Sequence, residues 1–90
     1  MSAIEIEVDG TNYEIVVASD LVRDGMALEC WLAGEPNGPL LEAFWHDPTG
    51  TFTFQAFSGS SLPFALVEQF VELARHRLPS SRSEAGDEDA

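Results

Sequence analysis

No lysine occurs anywhere in these 90 residues, and four arginines are all that oppose sixteen aspartates and glutamates, for a formal net charge of -12. Binding to nucleic acid or to an anionic membrane draws on Lys and Arg to displace counterions from phosphates, so neither is an expected partner. There is a single cysteine, Cys30, which excludes an internal disulfide and fits a reducing compartment. No apolar run approaches the roughly 20 residues that span a bilayer. The first residues lack the basic and apolar blocks of a secretory leader, so the expected location is cytoplasmic. A glycine-rich phosphate loop, zinc-ligand spacing and a nucleophile elbow are all missing from the pattern. The chain is therefore expected to be non-enzymatic and to need no cofactor or metal.

What is present argues for a folded domain. Apolar residues make up 44% of the chain, with six Phe and two Trp. At this length there is room for one thin core, hiding roughly 60% of the unfolded surface. Residues 1–79 are expected to form a single domain. Residues 80–90 contain Glu84, Asp87, Glu88 and Asp89 and no large apolar side chain, the composition of a disordered acidic tail. The acidic surplus itself has two readings. It keeps a small domain soluble, or it forms a surface that docks on a basic partner.

The segment at residues 4–8 alternates apolar and acidic side chains with period two, as does the segment at residues 13–17, with a turn between them. A four-residue loop at 9–12 would pair Val8 with Tyr13, Ile6 with Ile15 and Ile4 with Val17. Residues 19–25 show no strand pattern and read as a connector, with Ser19 able to cap a single helical turn; its length allows either a simple meander, the preferred reading, or a change in strand order. Three further strands follow, separated by Glu35-Pro36-Asn37-Gly38 and Asp47-Pro48-Thr49-Gly50, both resembling type I turns. Four-residue hairpin loops would pair Gly34 with Pro39 and His46 with Thr51. One face then collects Leu28, Cys30, Leu32, Leu41, Ala43, Trp45, Phe52, Phe54 and Ala56. From about Ser61 the apolar period becomes 3.6, with Leu66, Val67, Phe70, Leu73, Ala74 and Leu78 on one stripe. Ser61 is the expected cap, Pro63 falls in the first turn, and Pro79 ends the helix.

The expected fold is α+β in two layers, a five-stranded antiparallel meander of hairpins with one C-terminal helix packed on one face. The same register places Trp31 opposite Glu42, Glu29 opposite Phe44, and Leu40 opposite both Ala33 and Phe57 on the face away from the helix. Trp31, Leu40, Phe44 and Phe57 then form an apolar cluster among Glu29 and Glu42 where water alone would favour polar residues. Three explanations compete for it. The register is wrong, or the connector or first strands cover the aromatics; two copies pack these faces together as a homodimer; or a different protein or a cationic ligand docks there.

The remaining chemical groups have plain structural readings. His46 and Asp47 read as a solvated turn pair, lacking the oriented third group that a general base needs. Cys30 reads as a core residue with a raised thiol pKa. Glu72 and His76, four apart on a helix, read as a surface pair. Glu29 and Glu42 lie diagonally, but two acids on an open sheet without a cleft are weak grounds for glycoside hydrolysis. A small-molecule carrier is disfavoured because one helix on one sheet leaves little of the roughly 300 Å³ that ligands usually occupy. The leading expectation is a non-catalytic protein-binding module, of inhibitor or immunity type, for a basic effector. Trp31, Phe44, Phe57 and Leu40 would be its anchors, and Glu29 and Glu42 would steer the encounter. The alternative is a self-associating accessory protein that uses the same face.

Overall fold

A computed structural model describes residues 3–57, 59 and 61–78. The elements run β1 (Ala3–Val8), β2 (Thr11–Asp20), β3 (Gly25–Leu32), β4 (Leu41–His46), β5 (Thr51–Ala56) and α1 (Phe64–Arg77). The five strands form one antiparallel sheet in the order β1-β2-β3-β4-β5, the expected meander, with α1 laid on one face. No helix among the described residues is long and apolar enough to cross a membrane. The acidic segment 80–90 and the stop at Pro79 lie outside the described residues.

Period-two alternation accounts for the sheet. Val8, Tyr13, Ile15, Leu28, Cys30, Leu41 and Ala43 are buried on the helix side and join Leu66, Phe70, Ala74 and Leu78 in one core. The helix begins at Phe64, with Pro63 as its N-cap and no side-chain cap, so Ser61 does not cap it. Leu78 ends it in extended backbone, the conformation favoured before a proline. Arg75, His76 and Arg77 occupy its last turn, where cations meet the negative end of the helix dipole. Cys30 is fully buried, and burial pushes its thiol up to about 11. The folded protein should therefore resist a thiol reagent at pH 8 and react at the rate of unfolding. Rapid stoichiometric labelling of the native chain would contradict that burial.

Two registers differ from expectation, each by two residues. In the first hairpin Val8 pairs with Thr11, Ile6 with Tyr13 and Ile4 with Ile15. The loop is only Asp9-Gly10, both left-handed at φ 52° and 81°. This is the type I′ arrangement whose twist matches the strands it joins. Between β3 and β4 the pairs are Cys30 with Leu41, Glu29 with Glu42 and Leu28 with Ala43. The loop is therefore residues 33–40, not a four-residue turn. Gly34 and Gly38 take positive φ there, and Pro39 has no N–H to give a ladder, so β4 starts beyond it. The third hairpin pairs His46 with Thr51, as expected. Ser19 and Asp20 continue β2, so the connector shrinks to residues 21–24 and holds no helical turn.

The helix packs chiefly over β3 and leaves an open groove on each side. One, of about 370 Å³, lies over β1 between Ile4, Ile6 and Leu73. The other, of about 190 Å³, is lined by Ala43, Phe52, Phe54, Phe70 and Val71. Phe52 and Phe54, expected in the core, are 41% and 51% exposed. They face the helix side, but α1 does not extend over β5.

Candidate functional site

The sheet face away from α1 carries two different environments. On its β4 side, Arg23 folds back from the connector onto the sheet. Its guanidinium grips Glu42 with both nitrogens, Nη2 to Oε2 at 2.7 Å and Nη1 to Oε1 at 3.2 Å. Its Nε donates to Asp20 Oδ2 at 2.6 Å, and its Cζ sits 4.1 Å from the centre of the Phe44 ring. Asp20 Oδ1 also accepts from the Arg23 backbone N–H at 3.0 Å. A planar fork between two carboxylates and over an aromatic face uses every binding mode of a guanidinium at once. That backbone hydrogen bond, followed by the side-chain one, holds the Asp20 carboxyl below its ordinary value. The hydrogen bonds to Glu42 and then Asp20 hold Arg23 above its own.

This plug changes the roles expected for two residues. Phe44 is 7% exposed and Glu42 also 7%, because the connector covers both. Phe44 faces Ala27 across the strands, not Glu29. Glu42 faces Glu29, not Trp31, and its charge is already matched by Arg23. Leu40 does not stand on this face as an anchor, since it packs against the helix-side core. Its carbonyl accepts from the Phe57 N–H at 2.8 Å, so the expected neighbourhood of Leu40 and Phe57 is present. Phe57 is about half exposed, beyond the end of β5.

On the β1–β3 side the face is open. Trp31 is directly opposite Glu14, and Glu14 directly opposite Glu5. Residues facing each other across antiparallel strands share one side of the sheet. Glu29, two residues from Trp31 on β3, accepts a hydrogen bond from the indole Nε1 at 3.0 Å, and Glu7 lies two residues from Glu5. Glu14 and Glu29 thus flank one half-buried tryptophan, and Glu5 and Glu7 lie one strand further out on the same face. Among the described residues no arginine pairs with Glu5, Glu7, Glu14 or Glu29. Like charges placed directly opposite cost stability, so the Glu5 and Glu14 pair is retained against a local penalty.

Sequence reasoning found Trp31 and Glu29 but missed Arg23, Glu5 and Glu14. The acids stood at outward positions of the first hairpin, yet nothing local said that β2 would lie beside β3 with Glu14 against Trp31. Arg23 carried one usable signal, as the only cation before the helix. The other chemical groups are engaged as surface chemistry. His46 Nδ1 lies 2.6 Å from Thr49 Oγ1, and Glu72 meets His76 at 3.0 Å on the outer helix face, the expected surface pair. No family model, no curated protein and no solved structure matches this chain.

Proposed function

We propose that the chain is a non-catalytic protein-binding module, of inhibitor or immunity type, that receives a basic partner on the open part of the outer sheet face. The observation that carries this is Trp31 flanked by Glu14 and Glu29, with Glu5 directly opposite Glu14 on the next strand and no arginine among the described residues paired with any of them. A partner's arginine or lysine would relieve that repulsion and stack on the indole. Arg23 supports the chemistry from within, since the neighbouring part of the face already holds one guanidinium between carboxylates and an aromatic ring. In this reading Trp31 and Glu29 take the anchoring and steering roles and Glu5 and Glu14 join them, while Phe57, beyond the end of β5 against Leu40, lies outside this part of the face. Packing two of these faces as a homodimer would bring eight acids together, which disfavours self-association here.

Titration with an oligoarginine peptide tests the reading. Saturable binding is expected to change Trp31 fluorescence and to weaken as salt rises. The Glu14→Gln/Glu29→Gln variant should bind about tenfold more weakly, a loss of about 1.4 kcal/mol. Binding that is absent, or indifferent to both substitutions, would remove the basic-partner reading.

A further inference from the structure

The two edges of the sheet are built differently. β1 places Glu5 and Glu7 along its edge, and charge on an edge strand is a common guard against pairing with another chain. β5, at the opposite edge, reads TFTFQA and is exposed along its whole length. From Thr51 to Phe57 there is no ionisable side chain and no proline. Such a segment, rich in β-formers and left uncharged, is the pattern that adds strands.

Among the described residues no strand pairs with the outer side of β5. The Phe57 N–H donates inward, to Leu40 on the β4 side, and peptide direction alternates along a strand. The N–H and C=O groups of Phe52, Phe54 and Ala56 therefore point out from the edge. Above them, Phe52 and Phe54 stand half exposed beside the groove that α1 leaves open.

We propose that β5 pairs antiparallel with β5 of a second copy about a two-fold axis, joining two sheets into one with both helices on the same side. The register is set by the side chains. With Thr53 opposite Thr53 of the second copy, Phe52 and Phe54 of each chain exchange backbone hydrogen bonds with Phe54 and Phe52 of the other. The four rings then close over the two grooves.

The chemistry of this edge selects a second copy over other occupants. A basic partner finds no acid between residues 51 and 57, and the groove wall includes Arg75. The chain's own residues 79–90 contain no large apolar side chain to fill a phenylalanine-lined groove. Two copies carrying -12 each repel one another, and this uncharged edge is where they approach at least electrostatic cost. Self-pairing should therefore strengthen with salt, opposite to binding at the acidic face.

The apolar area at stake is modest. Four half-exposed rings withdraw on the order of 400 Å², well under the roughly 1,200 Å² at the lower end of stable interfaces, so a weak dimer is expected. Light scattering across about 10 μM to 1 mM in moderate salt should show the mass rising from the 9.8 kDa of one chain toward twice that value. Phe54→Glu, shown by circular dichroism to be folded, should weaken the association at least about tenfold. A Thr53→Cys chain should form an oxidised covalent dimer. The two-fold sets the pair at a position without mutual hydrogen bonds, where Cα atoms lie about 4.5 Å apart, within disulfide reach. Cys30 is fully buried and does not compete. A wild-type mass of one chain throughout, a dimer in which Thr53→Cys stays uncrosslinked, or one that Phe54→Glu leaves unweakened would each overturn the proposal.

Discussion

Replacing Gly25 by alanine is expected to cost about 3 kcal/mol or more, at the upper end for overpacking a tight site. A Cβ at this position would lie 1.9 Å from the backbone oxygen of Trp45 and 2.7 Å from Cζ of Phe44. The first obstacle is main chain of the neighbouring strand, which cannot turn aside as a side chain can. Relief means separating the start of β3 from the end of β4, where Gly25 pairs with His46. The adjoining Asp47 N–H to Asp24 carbonyl bond, at 2.9 Å, would go with it. For a domain of this size the midpoint of thermal unfolding should fall by about 15 °C. A Gly25→Ala protein within about 0.5 kcal/mol of wild type would mean that the strands are not held this close. The glycine is required by lateral space and not by backbone conformation, which separates it from Gly10 and Gly34 at positive φ.

The second large effect is expected at Arg23. Truncation to alanine leaves Glu42, whose side chain is 9% exposed, covered on one side and without its cation, and it bares the Phe44 ring. Breaking a fully buried pair in this way costs about 3–5 kcal/mol. Arg23 is itself 44% exposed, so water screens part of the loss and about 2 kcal/mol is expected. Arg23→Lys should recover less than half of it, because an ammonium cannot bind both Glu42 oxygens, reach Asp20 and stack on Phe44 together. Chemical denaturation of the three proteins at pH 7 measures these differences. Equal stability of the lysine variant and wild type would show that charge alone matters at this point.

The pH dependence follows from Asp20. Its folded carboxyl titrates below the ordinary value of 3.8, so it contributes stability above that pH and loses the contribution as pH falls through its lowered value. Arg23 is raised from an already basic value and stays charged at any pH the fold survives. The gap between wild type and Arg23→Ala should thus be level from about pH 5 to 8 and narrow below about pH 4. The alanine variant should keep part of the Asp20 depression, because the largest cause is the backbone N–H of residue 23, which the substitution leaves in place.

Side-chain periodicity alone specified the number and type of elements and which face each strand residue occupies, whereas the meander was the preferred one of two strand orders that the connector allowed. It could not specify register beyond parity. A shift of one residue would have buried Glu29 or Glu42 among apolar side chains, whereas a shift of two returns every side chain to the same face. Both register corrections are of the second kind. The Asp9-Gly10 pair could have settled the first hairpin, since an Asp-Gly two-residue loop is a strong local signal. The β3–β4 register had no such signal, because Pro39 and two glycines at positive φ displaced the turn that residues 35–38 resembled.

The candidate site shows the same division. Trp31 and Glu29 belong to one strand, and their shared face was legible from spacing. Glu14 and Glu5 reach Trp31 only through pairing between strands distant in sequence, and Arg23 reaches Glu42 across 19 residues. A guanidinium on a flexible stem leaves no periodic trace of where it will settle. Sequence by itself determined the faces, because strand geometry alternates with a fixed period of two whatever the neighbours do. Only the tertiary structure decided which part of the outer face is plugged and which edge is bare, because both depend on where a four-residue connector folds back and how far one helix extends across the sheet.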